Sequence, residues 1–269
     1  MTPTRRYDIE KALTSYFPVF FDVLSGSKLN WNRINRRAEE VLDERKKKID
    51  NRGQSILIEV GFIDLLISAI SGREHASSFF SFIRKLFEEL AKNLSEDEKR
   101  LIKGNLYGFL TNIDLKYLNY LGELCVLNQI KKNTSWRLID IECPYDPSNK
   151  YGPKIDFKFS TTRSHMMIEI INLHLDGRLE WSDARIGNLL AQKLPSKFRA
   201  KGVTGIPTFH LLPVLWGDHK SISRFVEYYR DKNPVYPNCL VPSCFISYTY
   251  KNINEPVHKF GSIDTILKD

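Results

Sequence analysis

The sequence predicts an α/β (α+β) fold in which a mixed central sheet flanked by helices follows a helical N-terminal region. Three observations predict it. Up to about residue 110, apolar side chains recur at three- and four-residue intervals, the period of a buried helix face. After Trp136 the period drops towards two and β-branched and aromatic residues gather in short runs. From there strand and helix candidates alternate, as in a sheet covered by helices.

The helical part opens with Tyr7 to Leu24, where Leu13, Tyr16, Phe17, Phe20, Phe21 and Leu24 share related faces. Asn30 to Asp50 reads as a polar helix carrying Arg33, Arg36, Arg37 and the run Arg45-Lys46-Lys47-Lys48. That run reads as a solvated helix face, with a phosphate-contacting surface as its rival. Ser55 to Ser71 is apolar on most sides, and Ala76 to Leu94 repeats the helical spacing. Ser95 with Glu98 forms a capping box that opens a helix through Leu110. A last helix, from about Asp114 to Lys132, leads into the strands, so residues 1–113 and 114–269 are expected to form two regions.

The strand candidates are Trp136 to Glu142, Lys154 to Phe159 and Met167 to Leu175. A helix follows from Ser182 to about Leu194, where Pro195 should kink or end it, although Lys197 and Phe198 suggest some continuation. Thr208 to Trp216, Lys220 to Arg230 and Cys244 to Tyr250 read as strand, helix and final strand.

Composition narrows the function classes. The 269 residues are 42% hydrophobic and 27% charged, ordinary for a globular protein with a substantial core. The net charge of +8 favours a polyanionic partner. Four cysteines without framework spacing suit reduced thiols in a cytoplasmic protein. The most apolar run, Ile56 to Ile70, is interrupted by Glu59 and Asp64 and is too short and charged to cross a bilayer, so no membrane partner is expected. No GxxxxGK[ST], GxSxG, HExxH or GxGxxG motif occurs.

Three acids stand out. Asp156 takes the strand face opposite Ile155, Phe157 and Phe159, and Glu169 lies inside the apolar run Met167 to Leu175, where a carboxylate is costly without a partner. Neighbouring strands that each present one carboxylate can hold a divalent cation between them. Glu123 falls on a helical stripe with Tyr120, Val126, Leu127 and Ile130. The structural alternatives are pairing of Asp156 with Lys154 or Lys158, pairing of Glu169 with a buried lysine or arginine, and a hydrogen-bonded or snorkelling Glu123.

An acid on a helix, Asp in one strand, Glu in the next and lysine on the following helix resembles the PD-(D/E)XK nuclease superfamily, over roughly Asp114 to Trp216. The matching residues are Glu123, Asp156, Glu169 and Lys193 or Lys197, with Lys193 preferred because it shares a helical face with Ile186 and Leu190. Pro153 stands three residues before Asp156, and Ile171 occupies the usual lysine position two after Glu169. Some members of the superfamily are similar in carrying the lysine on the next helix. The resemblance implies a restriction-endonuclease-like core and a Mg²⁺- or Mn²⁺-dependent endonuclease acting on DNA, of restriction or phage-defence type. Asp156, Glu169 and the Ile170 carbonyl would ligate the metal, oxygen donors suiting Mg²⁺ or Mn²⁺. Glu123 would hold a water at the metal or complete a second site, and the lysine would orient the attacking water or stabilise developing charge. The helical region would recognise DNA or self-associate, and a homodimer is expected by analogy. RNA cleavage by the same site, or a catalytically decayed fold that binds nucleic acid or protein, are the alternatives.

Overall fold

A computed structural model describes residues 8–52, 61–70, 74–112, 114, 116–146, 148–149, 151–202, 207–249 and 256–267. The chain divides into two compact units, Met1–Leu124 and Cys125–Asp269. The division falls within a helix, Tyr117–Asn133, rather than at the expected position 113/114. The first turns of that helix are bound into the helical unit: the Tyr117 ring lies 6.1 Å from Phe109, and Tyr120 packs so closely on Gly108 that a Cβ there would meet its ring at 2.4 Å.

The helical unit contains α1 (Ile9–Tyr16), α2 (Val19–Leu24), α3 (Trp31–Arg52), α4 (Phe62–Ile70), α5 (Glu74–Asn93), α6 (Glu96–Leu101), α7 (Lys103–Thr111) and the start of α8 (Tyr117–Asn133). The single helix expected from Tyr7 to Leu24 is two, because Pro18 cannot supply the N–H that would continue α1. Residues 55–60 of the expected Ser55–Ser71 helix lie outside the described residues. The core is aromatic: Phe17 makes ring contacts with Phe20, Phe62, Phe80 and Phe87, and Phe109 with Phe62 and Phe87. Ser95 caps α6 as expected; its hydroxyl accepts from the Glu98 N–H and its own N–H donates to Glu98 Oε2 at 2.8 Å.

The sheet unit has strands β1 (Arg137–Pro144), β2 (Lys154–Ser160), β3 (His165–His174), β4 (Phe209–Asp218), β5 (Ser243–Thr249) and β6 (Pro256–Ser262), and helices α9 (Asp183–Lys201) and α10 (His219–Lys232). The strands lie side by side in chain order. β1, β2 and β3 form an antiparallel meander, β3–β4 and β4–β5 are parallel, and β5–β6 is antiparallel. The two parallel steps are the ones that α9 and α10 connect, as parallel neighbours require. The mixed α/β architecture expected from the sequence is therefore present, with β6 added beyond the expected final strand. In one core cluster of this unit, Ile171, Leu173, Leu211 and Leu215 from the sheet pack with Ile186, Leu190 and Leu194 of α9 and Ile222 and Phe225 of α10. Among the described residues no helix is long and apolar enough to cross a membrane.

Candidate active site

β2 and β3 bring Asp156 and Glu169 together. Their antiparallel register pairs Phe157 with Ile168, and one step further along the same register Asp156 faces Glu169. The regular ladder gives way there to a side-chain bond: the Ile170 N–H donates to Asp156 Oδ2 at 2.7 Å. Asp156 is thus engaged by backbone rather than by Lys154 or Lys158. Burial first, and the Glu169 carboxylate second, push the Asp156 carboxyl up to about 7, while the Ile170 N–H and two lysines oppose the rise.

Glu169 is 1% exposed. The middle residues of β3, Ile168 to Ile171, are buried although successive side chains point to opposite faces, so the sheet is covered on both sides there and the carboxylate needs partners. Two lysines of α9 supply them on one oxygen: Lys197 Nζ lies 2.7 Å and Lys201 Nζ 3.0 Å from Glu169 Oε1. Lys201 also donates to the Lys154 carbonyl at the start of β2. The second oxygen, Glu169 Oε2, is buried and has no hydrogen-bond partner among the described residues.

Lys193, the lysine preferred from the sequence, is exposed on α9, and the lysines that reach Glu169 are Lys197 and Lys201. Lys193, Lys197 and Lys201 stand four residues apart and share one helical stripe, on which the two lysines that reach Glu169 lie one and two turns beyond Lys193. α9 does not stop at Pro195 but runs to Lys201, ending at Gly202 in the left-handed conformation. Lys201 was missed because a helix ended by Pro195 would not carry it. The lysine repeat followed by glycine was the signal for the longer helix.

Glu123 belongs to the helical unit, where Asn105 Nδ2 donates to its Oε2 at 2.6 Å, the hydrogen-bonded role that the sequence offered as its alternative. Ile170 follows Glu169 in the parallel β3–β4 ladder opposite Leu212.

Among the described residues no three His, Cys, Asp or Glu side chains cluster as a metal set. The donor chemistry present is two facing carboxylates, one with an uncommitted buried oxygen, and two ammonium groups. A hard divalent cation that keeps most of its waters needs only one or two carboxylates from the protein. Asp156 and Glu169 fit that requirement, since a cation between them would relieve the repulsion that now raises Asp156.

Comparison with protein-family models, with curated proteins and with solved structures found no match.

Proposed function

We propose that the sheet unit is a Mg²⁺- or Mn²⁺-dependent endonuclease core acting on DNA, in line with the PD-(D/E)XK resemblance. The observation that carries the reading is the convergence of Asp156, Glu169 and two α9 lysines on one buried point with an uncommitted Glu169 oxygen. Asp156, Glu169 and the Ile170 carbonyl would hold the cation, which when bound supplies Lewis acidity and a more acidic water.

The chain's own residues divide the remaining work. The Ile170 N–H fixes one Asp156 oxygen and leaves the other for the cation. Lys197, the more exposed of the two lysines, takes the part assigned to the displaced lysine: it meets the phosphate and steadies the developing negative charge. Lys201 ties the end of α9 to both Glu169 and the Lys154 carbonyl and so positions Lys197.

The test is nicking of supercoiled plasmid with Mg²⁺ or Mn²⁺. Asp156→Asn and Glu169→Gln are expected to abolish cutting, and Lys197→Ala to lower the rate by about 10²-fold. Metal-dependent cutting that survives Asp156→Asn would overturn the assignment.

A specific observation favours a second reading, a fold that has lost catalysis and retains binding. Both lysines already sit on Glu169 Oε1 and balance its charge without a metal, while Ile171 stands at the usual lysine position. Absence of cutting of DNA and RNA, with salt-sensitive nucleic-acid binding retained, would select it.

A further inference from the structure

The helical unit carries a basic hollow of about 410 Å³ where α3 passes the end of α7, lined by Arg33, Arg36, Arg37, Glu40, Tyr107 and Asn112 among others. All three arginines are exposed, and Arg33 lies over the Tyr107 ring at 5.8 Å from its centroid. Their internal partner is inadequate. Glu40 approaches Arg36 and Arg37 at 3.8 Å each, beyond hydrogen-bond range, and it is the one acid in the lining beside three arginines.

The neighbouring acceptors at the end of α7 are committed elsewhere. The Tyr107 carbonyl takes the Thr111 hydroxyl and the Gly108 carbonyl takes the Asn112 amide. The hollow is therefore rich in forked donors and positive in charge, and an oxyanion is the chemistry that completes it. Arg33 and Arg37 are one helical turn apart, roughly 6 Å along the axis, so together they can engage successive anionic groups. Three arginines within five residues of one helix, in a chain of net charge +8, suit a repeating polyanion better than a single acidic side chain.

We infer that the Arg33–Arg36–Arg37 hollow holds backbone phosphates of a DNA strand, as a site for retaining substrate within the helical unit. It rests on the proposed function only in taking that strand to be the substrate. Phosphate contacts of this kind set position and affinity and carry no base information.

The test is fluorescence-anisotropy binding of a labelled DNA oligonucleotide to the full chain, in excess EDTA and across a salt series. Arg33→Gln/Arg36→Gln/Arg37→Gln is expected to weaken binding at low salt about tenfold or more and to lower the slope of log K against log salt by about two to three. The corresponding triple lysine variant should keep most of the slope, and both variants should melt with the wild type. Wild-type affinity and slope in the glutamine variant would overturn the inference, as would a lysine variant that binds as poorly as the glutamine one. Absence of metal-dependent cutting by the wild type with salt-sensitive binding intact strikes at the nuclease alone, and an unchanged salt slope in the glutamine variant strikes at the hollow alone.

Discussion

Each unit buries a glutamate almost completely, and the two are buried for different reasons. Glu98 in the helical unit is 2% exposed and Glu169 in the sheet unit 1%. Glu98 is accounted for by the fold: its carboxylate accepts the Ser95 N–H in a capping box that satisfies two donors at the head of α6. Glu169 is not. It occupies the middle of an inner strand, where Ile or Val would satisfy the same packing. It also raises its neighbour Asp156, draws in two lysines and leaves one oxygen without a partner. A buried acid that local structure requires is architecture; one that forces its surroundings to adapt is a candidate for chemistry.

Removing the counter-charges of Glu169 should have the largest effect. Lys197→Met/Lys201→Met leaves a buried carboxylate without an ion pair, and a loss of about 3–5 kcal/mol in denaturant unfolding is expected. Mn²⁺ should restore much of that loss, since a divalent cation can take the place of the ammonium groups. A double variant as stable as wild type would reduce Glu169 to a tolerated oddity.

Gly177→Ala probes the sheet unit away from its acids. A Cβ there would lie 2.4 Å from Oδ2 of Asp218, whose other oxygen caps α10 by accepting the Ser221 N–H at 2.7 Å. The clash forces the cap to shift, and a loss of about 1–3 kcal/mol is expected in the same unfolding experiment, without response to Mn²⁺.

The pH dependence separates Asp156 from an ordinary carboxylate. Its folded-state pKa is raised from 3.8 to about 7, so the folded protein holds this proton more tightly than the unfolded chain. The resulting stabilisation is full below about pH 4 and is lost as pH rises towards 7. Asp156→Asn removes the effect: its melting temperature should exceed that of wild type by several degrees above pH 7, and the difference should vanish towards pH 4. Parallel melting curves for the two proteins across that window would show that Asp156 is not raised. The smallest effect belongs to the architectural acid. Ser95→Ala should cost about 1 kcal/mol in denaturant unfolding, with no response to divalent cations.

Legibility in the sequence followed how local the physics is. The capping box of Ser95 and Glu98 is a four-residue arrangement and was readable as such. So were β2 and β3, whose Ile155, Phe157 and Phe159 alternate and whose Met167 to Leu173 run is apolar. The facing of Asp156 and Glu169 needed the strand register, which a sequence states only indirectly. β6 escaped because Pro256, His258, Lys259 and Gly261 are poor strand formers, and its pairing with β5 outweighs their preferences. Pro195 misled in the other direction: the burial of Ile186, Leu190 and Leu194 before it and the packing of Phe198 on Phe209 after it hold α9 together past the missing N–H. That continuation carries Lys197 and Lys201 to Glu169, so a packing effect outside the local window decided the identity of the site lysines.

The proposed pairing of Asp156 and Glu169 as one divalent-cation site can be measured without DNA. The most direct test is titration of the DNA-free protein with Mn²⁺ above pH 7, reading bound metal by calorimetry or by loss of the free-ion spin resonance signal. One site is expected in the wild type, absent in both Asp156→Asn and Glu169→Gln, and weakening as pH falls through about 7 while Asp156 takes up its proton. Equal Mn²⁺ binding by wild type and Glu169→Gln would contradict it.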